Sequence, residues 1–112
     1  MEDTLFTKII NREIPADIVY EDELCLAFKD ISPQAPMHIL IIPKKPIVKV
    51  ADAQPDEANL IGHLMLKAGD IAKDQGYDDF RLVTNNGAGA GQSVFHLHIH
   101  ILGGRPFTWP PG

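Results

Sequence analysis

Cysteine is nearly absent from this chain of 112 residues: Cys25 stands alone and cannot form an internal disulfide. Its neighbours, Glu23-Leu24-Cys25-Leu26-Ala27-Phe28, give it the setting of a small core residue. Long apolar runs are missing as well, and none approaches the roughly 20 residues that a membrane-spanning helix requires. The opening Met1-Glu2-Asp3-Thr4 is acidic and polar, without the basic start and apolar stretch of a secretory signal. A cytoplasmic, reducing setting is therefore expected. Positive charge is also short. Ten Lys and Arg against fifteen Asp and Glu give a formal net charge of -5, which argues against non-specific binding to nucleic acid or to an anionic membrane. A small phosphorylated ligand stays possible, because a few aimed amides and side chains hold a phosphate inside an acidic protein. The length suits one domain spanning 1–112, and there is no internal repeat, linker or low-complexity tract.

What is present is a sequence of short periodic segments. Leu5, Phe6, Ile9 and Ile10 fall at the spacing of a short helix over 4–11, with Asp3 or Thr4 as its cap. Ile18-Val19-Tyr20 and Leu24 to Phe28 read as a hairpin turned by Glu21-Asp22-Glu23. Met37 to Ile42 is apolar on both faces apart from His38 and stops at Pro43, as a buried strand does. Pro55 to Gln75 is the one long helix, with the core stripe Leu60, Ile61, Leu64, Ala68, Ile71 and Ala72 and a left-handed stop at Gly76. Phe80 to Thr84 and Val94 to Leu102 are the last two strands. Most connections are too short for parallel crossovers. The expected class is α+β: a mainly antiparallel sheet of about five strands with one long and one short helix.

The last strand carries His96-Leu97-His98-Ile99-His100. Residues two apart in a strand face one side, about 7 Å apart, so the three imidazoles form one row continued by Leu102. Phe95, Leu97, Ile99 and Ile101 form the opposite, core-facing row. Such a row suits a metal site, since histidine is a common ligand for zinc, copper and iron. Few helpers with metal-ligand spacing accompany it, however. It also suits a nucleophile beside an anion binder, because adjacent imidazoles disfavour simultaneous protonation and one neutral ring can attack while another donates. The segment Asn85-Asn86-Gly87-Ala88-Gly89-Ala90-Gly91-Gln92-Ser93 favours this second reading, as glycines let backbone amides approach a phosphate. It is neither a P-loop nor a dinucleotide fingerprint.

The run from Gly91-Gln92-Ser93 through His96-Leu97-His98-Ile99-His100-Ile101-Leu102 resembles the signature of the histidine-triad superfamily. Asp30 to Pro36, the strand carrying His38 into Ile42-Pro43-Lys44-Lys45, and Trp109-Pro110-Pro111-Gly112 are similar to its Hint branch in order and spacing. Pro46 departs from that branch, which often has a histidine there, but the position lies outside the catalytic row. The resemblance implies hydrolysis of purine nucleoside 5′-phosphoramidates without a metal or other cofactor. It implies that His98 attacks the α-phosphorus, with its second ring nitrogen held by a backbone carbonyl of the triad segment. His100, Gly91 and Ser93 would hold phosphoryl oxygens, Ser93 would assist the departing nitrogen, and Asn85 would contact the phosphate. His96 and His38 would support the network, and Asp30 would accept the ribose hydroxyls. Phe6, Ile9, Phe28, Ile31 and Leu40 would form the base pocket. A homodimer is implied, with Trp109 near the partner's site. His63 is expected to be structural. Three further readings remain open on sequence: a dinucleoside polyphosphate hydrolase of the same superfamily, a nucleotide-binding adaptor, and a histidine metal-binding protein.

Overall fold

The computed structural model describes residues 3–112; Met1 and Glu2, the acidic opening of the chain, lie outside the described residues. The first helix, α1 (Leu5–Ile10), is capped by Thr4, whose Oγ1 accepts from the Phe6 and Thr7 amides at 3.2 and 3.3 Å. Thr7 Oγ1 answers by accepting from the Thr4 amide, so three otherwise orphaned donors are satisfied at the helix start. Strands β1 (Ile18–Glu21) and β2 (Cys25–Lys29) form the expected hairpin. Its turn is built on Asp22, whose Oδ1 accepts from the amides of both Leu24 and Cys25 at 2.8 Å. Leu24 consequently belongs to the turn, not to the strand as its apolar character suggested.

Strand β3 (Met37–Pro43) is buried along its whole length. The long helix begins as a tight turn over Pro55–Glu57, where Glu57 Oε1 accepts from the Gln54 amide at 2.7 Å, and continues as α2 (Ala58–Asp74). Leu64, Ala68, Ile71 and Ala72 are its buried stripe, and Leu60 and Ile61 pack at the margin. The chain leaves the helix at Gly76 with φ of 94°, a conformation that favours glycine. Strands β4 (Phe80–Val83) and β5 (Ile99–Gly103) complete a five-stranded antiparallel sheet of order β1-β2-β3-β5-β4. Its composition of short antiparallel strands and two helices confirms the α+β expectation.

The two faces of the sheet carry different layers. Ala27, Ile39, Ile41, Ile99 and Ile101 point towards α2 and form the larger core. Leu26, Phe28, Leu40 and Ile42 face Phe6 and Ile9 of α1 and form the smaller one. The histidines lie on the α1 side, which is the thinly covered face.

The last strand is shorter than its alternation predicted. The β3–β5 register pairs Ile41 with Ile99, so two steps further Leu97 would meet Pro43. Proline has no N–H to extend the ladder, and the Pro43 carbonyl is taken by His96 Nε2 at 2.8 Å. Residues 94–96 therefore bend away, and the Leu97 amide bonds instead to Ile47 O at 2.7 Å. Leu97, Ile99 and Ile101 keep their places in the core. Phe95 does not: the bend turns it outward, and it is 44% exposed.

Candidate active site

His100 sits on the regular part of β5, opposite Leu40 of β3 and Val83 of β4. His98 precedes the strand, and its ring packs edge-on against Phe6 and against His100, with centroids 5.0 Å away in each case. Both rings line a cleft of about 350 Å³ between α1 and the sheet, within the roughly 300–1,000 Å³ of small-molecule sites. Phe6, Ile9, Phe28, Leu40, Asp30 and Ser93 line the same cleft, apolar at one end and polar at the other. Ile31 lines it too, but from the rim, where it is 95% exposed.

The remaining expected residues stand behind the cleft. His96 is fully buried, so the row is not a uniform surface of three imidazoles. Its Nε2–H donates to Pro43 O, while Nδ1 is buried without a partner. His38 lies behind His100 and opens towards a neighbouring cleft with Asp30 and Tyr77. Asn85 lies beside Gly91, where an added Cβ would meet Asn85 Nδ2 at 3.6 Å. Neither residue lines the cleft.

The glycine segment differs in detail from an open amide nest. Gly87 and Gly91 take φ of 95° and 99°, the left-handed region that justifies glycine at both ends of the tight turn Ala88–Ala90. The Ala90, Gly91 and Gln92 amides bond back to Gly87 O and Ala88 O, and the Gly87 amide donates to Gln92 Oε1 at 2.8 Å. These four donors are spent within the loop. Ser93 is the residue through which the segment reaches the cleft.

Hydrogen bonds assign the tautomers. The Gln34 amide donates to His38 Nδ1 at 3.0 Å, which places the His38 proton on Nε2. That proton is donated to His100 Nδ1 at 2.9 Å, so neutral His100 carries its own proton on Nε2. His98 has the opposite arrangement. Its Nδ1–H donates to His96 O at 2.8 Å, leaving the Nε2 lone pair free. The cleft thus meets one bare imidazole nitrogen and one N–H donor side by side. Burial, then the neighbouring His98 and His38, pushes the His100 pKa down to about 4, against a smaller upward pull from Asp30. Burial also lowers His38 and His96, opposed by the Asp30 carboxylate and by the Pro43 hydrogen bond respectively.

Asp30 serves two purposes. Oδ1 accepts from the Ser32 amide at 2.8 Å, the turn cap that its position before the Pro-rich loop suggests, while Oδ2 lies 3.5 Å from His38 Nε2. Two residues outside the sequence-based set also hold the site. Gln92 is 3% exposed, and its Nε2 donates to Val48 O and Val94 O at 2.7 and 3.1 Å. Thr84 Oγ1 donates to His98 O at 2.8 Å. Gln92 was visible as the middle of Gly91-Gln92-Ser93, but a buried carboxamide stitching two loops together has no periodic signature. Thr84 had no signal beyond ending a strand.

The metal reading gains geometry that spacing did not reveal. Asp30, His38 and His100 bring ligand atoms within 4.8 Å of one another, as do Asp22, Cys25 and His63 away from the cleft. In the second group His63 Nε2 lies 2.7 Å from Asp22 Oδ2, tying α2 to the hairpin turn as a structural histidine would.

A five-stranded antiparallel sheet that delivers consecutive alternate imidazoles to an apolar cleft defines the histidine-triad class of protein. The chain belongs to the HIT domain family, whose model matches residues 11–107. It is 67% identical over 112 residues to an uncharacterized HIT-like protein of Synechocystis sp., covering 99% of this chain and 98% of that one. A HIT family hydrolase from Legionella pneumophila is 48% identical, with a TM-score of 0.95 over 98% of this chain and all of that one. A histidine triad protein from Clostridium difficile is 43% identical, with a TM-score of 0.91 over 96% and 97% of the two chains. Among the described residues no helix is long and apolar enough to cross a membrane.

Proposed function

We propose that this chain is a Hint-branch hydrolase of purine nucleoside 5′-phosphoramidates, and that His98 is its nucleophile. The observation that carries the reading is the 2.8 Å bond from His98 Nδ1 to His96 O, which leaves Nε2 unprotonated at the polar end of the cleft. The purine lies among Phe6, Ile9, Phe28, Ile31 and Leu40, and Asp30 Oδ2 accepts from the ribose hydroxyls. His98 Nε2 attacks the α-phosphorus, forming a P–N bond as the bond to the amine breaks and its electron pair passes to the departing nitrogen. Ser93 assists protonation of that nitrogen, and His100 Nε2–H supports the phosphoryl oxygens. Water then attacks phosphorus, the bond to His98 breaks, and nucleoside monophosphate leaves. Two displacements through a nucleotidyl-histidine replace one difficult step.

His38 and His96 are positioning residues in this scheme: one fixes the His100 proton, the other supplies the carbonyl that fixes His98. Gly91 and Asn85 shape the loop that presents Ser93. The reaction draws on no metal, and the functional unit is a homodimer in the cytoplasm in which Trp109, largely exposed on the single chain, approaches the partner's cleft. No nucleic acid or membrane partner is needed.

The test is turnover of an adenosine phosphoramidate by wild type and His98→Ala, with acid quenching to trap the nucleotidyl-enzyme. The expected result is a folded variant with at least a thousandfold lower rate and no adduct. A variant retaining near wild-type turnover would remove His98 from the role. Faster turnover of diadenosine polyphosphates than of phosphoramidates would move the assignment to the sister activity. Binding of adenosine monophosphate without turnover of either would make the chain an adaptor.

A further inference from the structure

The bend at residues 94–96 has a second effect besides ending β5. It sets Phe95 on the surface near Leu5, which is half exposed, so that two large apolar side chains stand in solvent beside one groove. They form the walls of a second groove, about 530 Å³, with Val48, Val94, Thr4 and Asp3. Leu5, Ser93 and Val94 line both this groove and the cleft that holds His98 and His100. Ser93 therefore stands where the two spaces meet. The apolar residues of the first cleft lie between α1 and β2–β3, and Val94 packs against them from the groove.

We infer that the groove of Leu5, Val48, Val94 and Phe95 receives the leaving amine and selects amines with an apolar body. This rests on the phosphoramidase reading above and deepens it. A nucleotide occupying the first cleft directs its phosphorus to His98, and the departing group must exit past Ser93, the residue shared with the groove. Exposed apolar surface next to a reacting centre is covered when such a group binds, which favours it over a small amine. Among the described residues Asp3 is the one charged residue lining the groove, so an amine that also carries a carboxylate meets repulsion there.

The experiment measures kcat/KM for adenosine phosphoramidates of straight-chain primary amines from methylamine to hexylamine, whose basicities are nearly equal. Because kcat/KM reports steps up to loss of the amine, hydrolysis of the common nucleotidyl-enzyme does not mask the effect. Full burial of a methylene corresponds to about fourfold, and an open groove to about half that free energy, so about a twofold rise per added methylene is expected. Phe95→Ala and Val48→Ala should flatten this rise while leaving the methylamine substrate unchanged. Asp3→Asn should raise turnover of a substrate whose hexyl chain ends in a carboxylate. Circular dichroism and thermal melts establish that each variant is folded, and two variants on separate segments guard against loss of one. A chain-length series that is flat in wild type, or equally steep in both groove variants, overturns the groove assignment while leaving the phosphoramidase intact. If wild type turns over none of the series, the underlying functional reading fails and the groove assignment with it.

Discussion

Protonation of His100 offers a direct test of the tautomer chain on which the site depends. Burial and two neighbouring imidazoles hold its folded-state pKa at about 4, against an ordinary value of 6.5. Between these values the unfolded chain binds a proton at this ring and the folded chain does not. Stability from this group is thus fully present above pH 6.5, falls as the pH drops through the window, and levels off below pH 4. A displacement of 2.5 units at 1.36 kcal/mol each corresponds to about 3 kcal/mol. Urea unfolding at intervals from pH 7 to pH 4, for wild type and His100→Asn, measures it. The variant should lose about 3 kcal/mol less than wild type across the window. Carboxylates held below their ordinary range, such as Glu21 beside Lys44 and Glu57 beside Lys45, are common to both proteins and cancel in the difference. Parallel loss in the two proteins would refute the claim that the fold keeps His100 neutral as a fixed Nε2–H donor.

Other expectations follow from particular contacts. Gln92→Ala strips partners from the Gly87 amide and from Val48 O and Val94 O, and should cost about 2–3 kcal/mol in urea unfolding while lowering kcat through displacement of Ser93. Gln92→Glu keeps the acceptor but loses both donors, so it should not restore wild-type behaviour. Gly104→Ala would set a Cβ 2.9 Å from Pro36 Cβ at a φ of 94°, and a loss of about 2 kcal/mol with disturbance of the loop next to His38 is expected by thermal melting. Leu64→Ala, at the centre of the α2 stripe, should cost about 2–5 kcal/mol in urea unfolding without changing the affinity for the proposed nucleotide ligand, because the helix covers the face away from the cleft.

Much of the fold could be read from local pattern. The hydrophobic periods of α1, α2, β2 and β3 placed those elements within a few residues, because each period is imposed by backbone geometry that any stretch of the chain obeys alone. The same holds for Thr4 as a cap and Gly76 as a stop. Alternation also put Leu97, Ile99 and Ile101 on the core side. It went wrong at Phe95 and at the start of β5, where the missing N–H of Pro43, more than fifty residues earlier in the chain, decides how far the ladder runs. No local window contains that information.

The candidate site divides in the same way. His96, His98 and His100 announced themselves as an alternating row, and only chemistry of the residue type was needed to single them out. Where their protons sit came from a bend that tertiary structure imposes and from one long-range bond. His98 gains its bare Nε2 because the bend leaves His96 O within 2.8 Å of Nδ1, and His100 gains its proton because β3 lays His38 beside it while the Gln34 amide holds that ring. Alternation says which side of a chain a ring leaves from. Which nitrogen carries the proton depends on the partner each ring meets. For His98 it is a carbonyl two residues away, brought into reach by the bend, and for His100 a ring on another strand, which arrives only when the sheet closes.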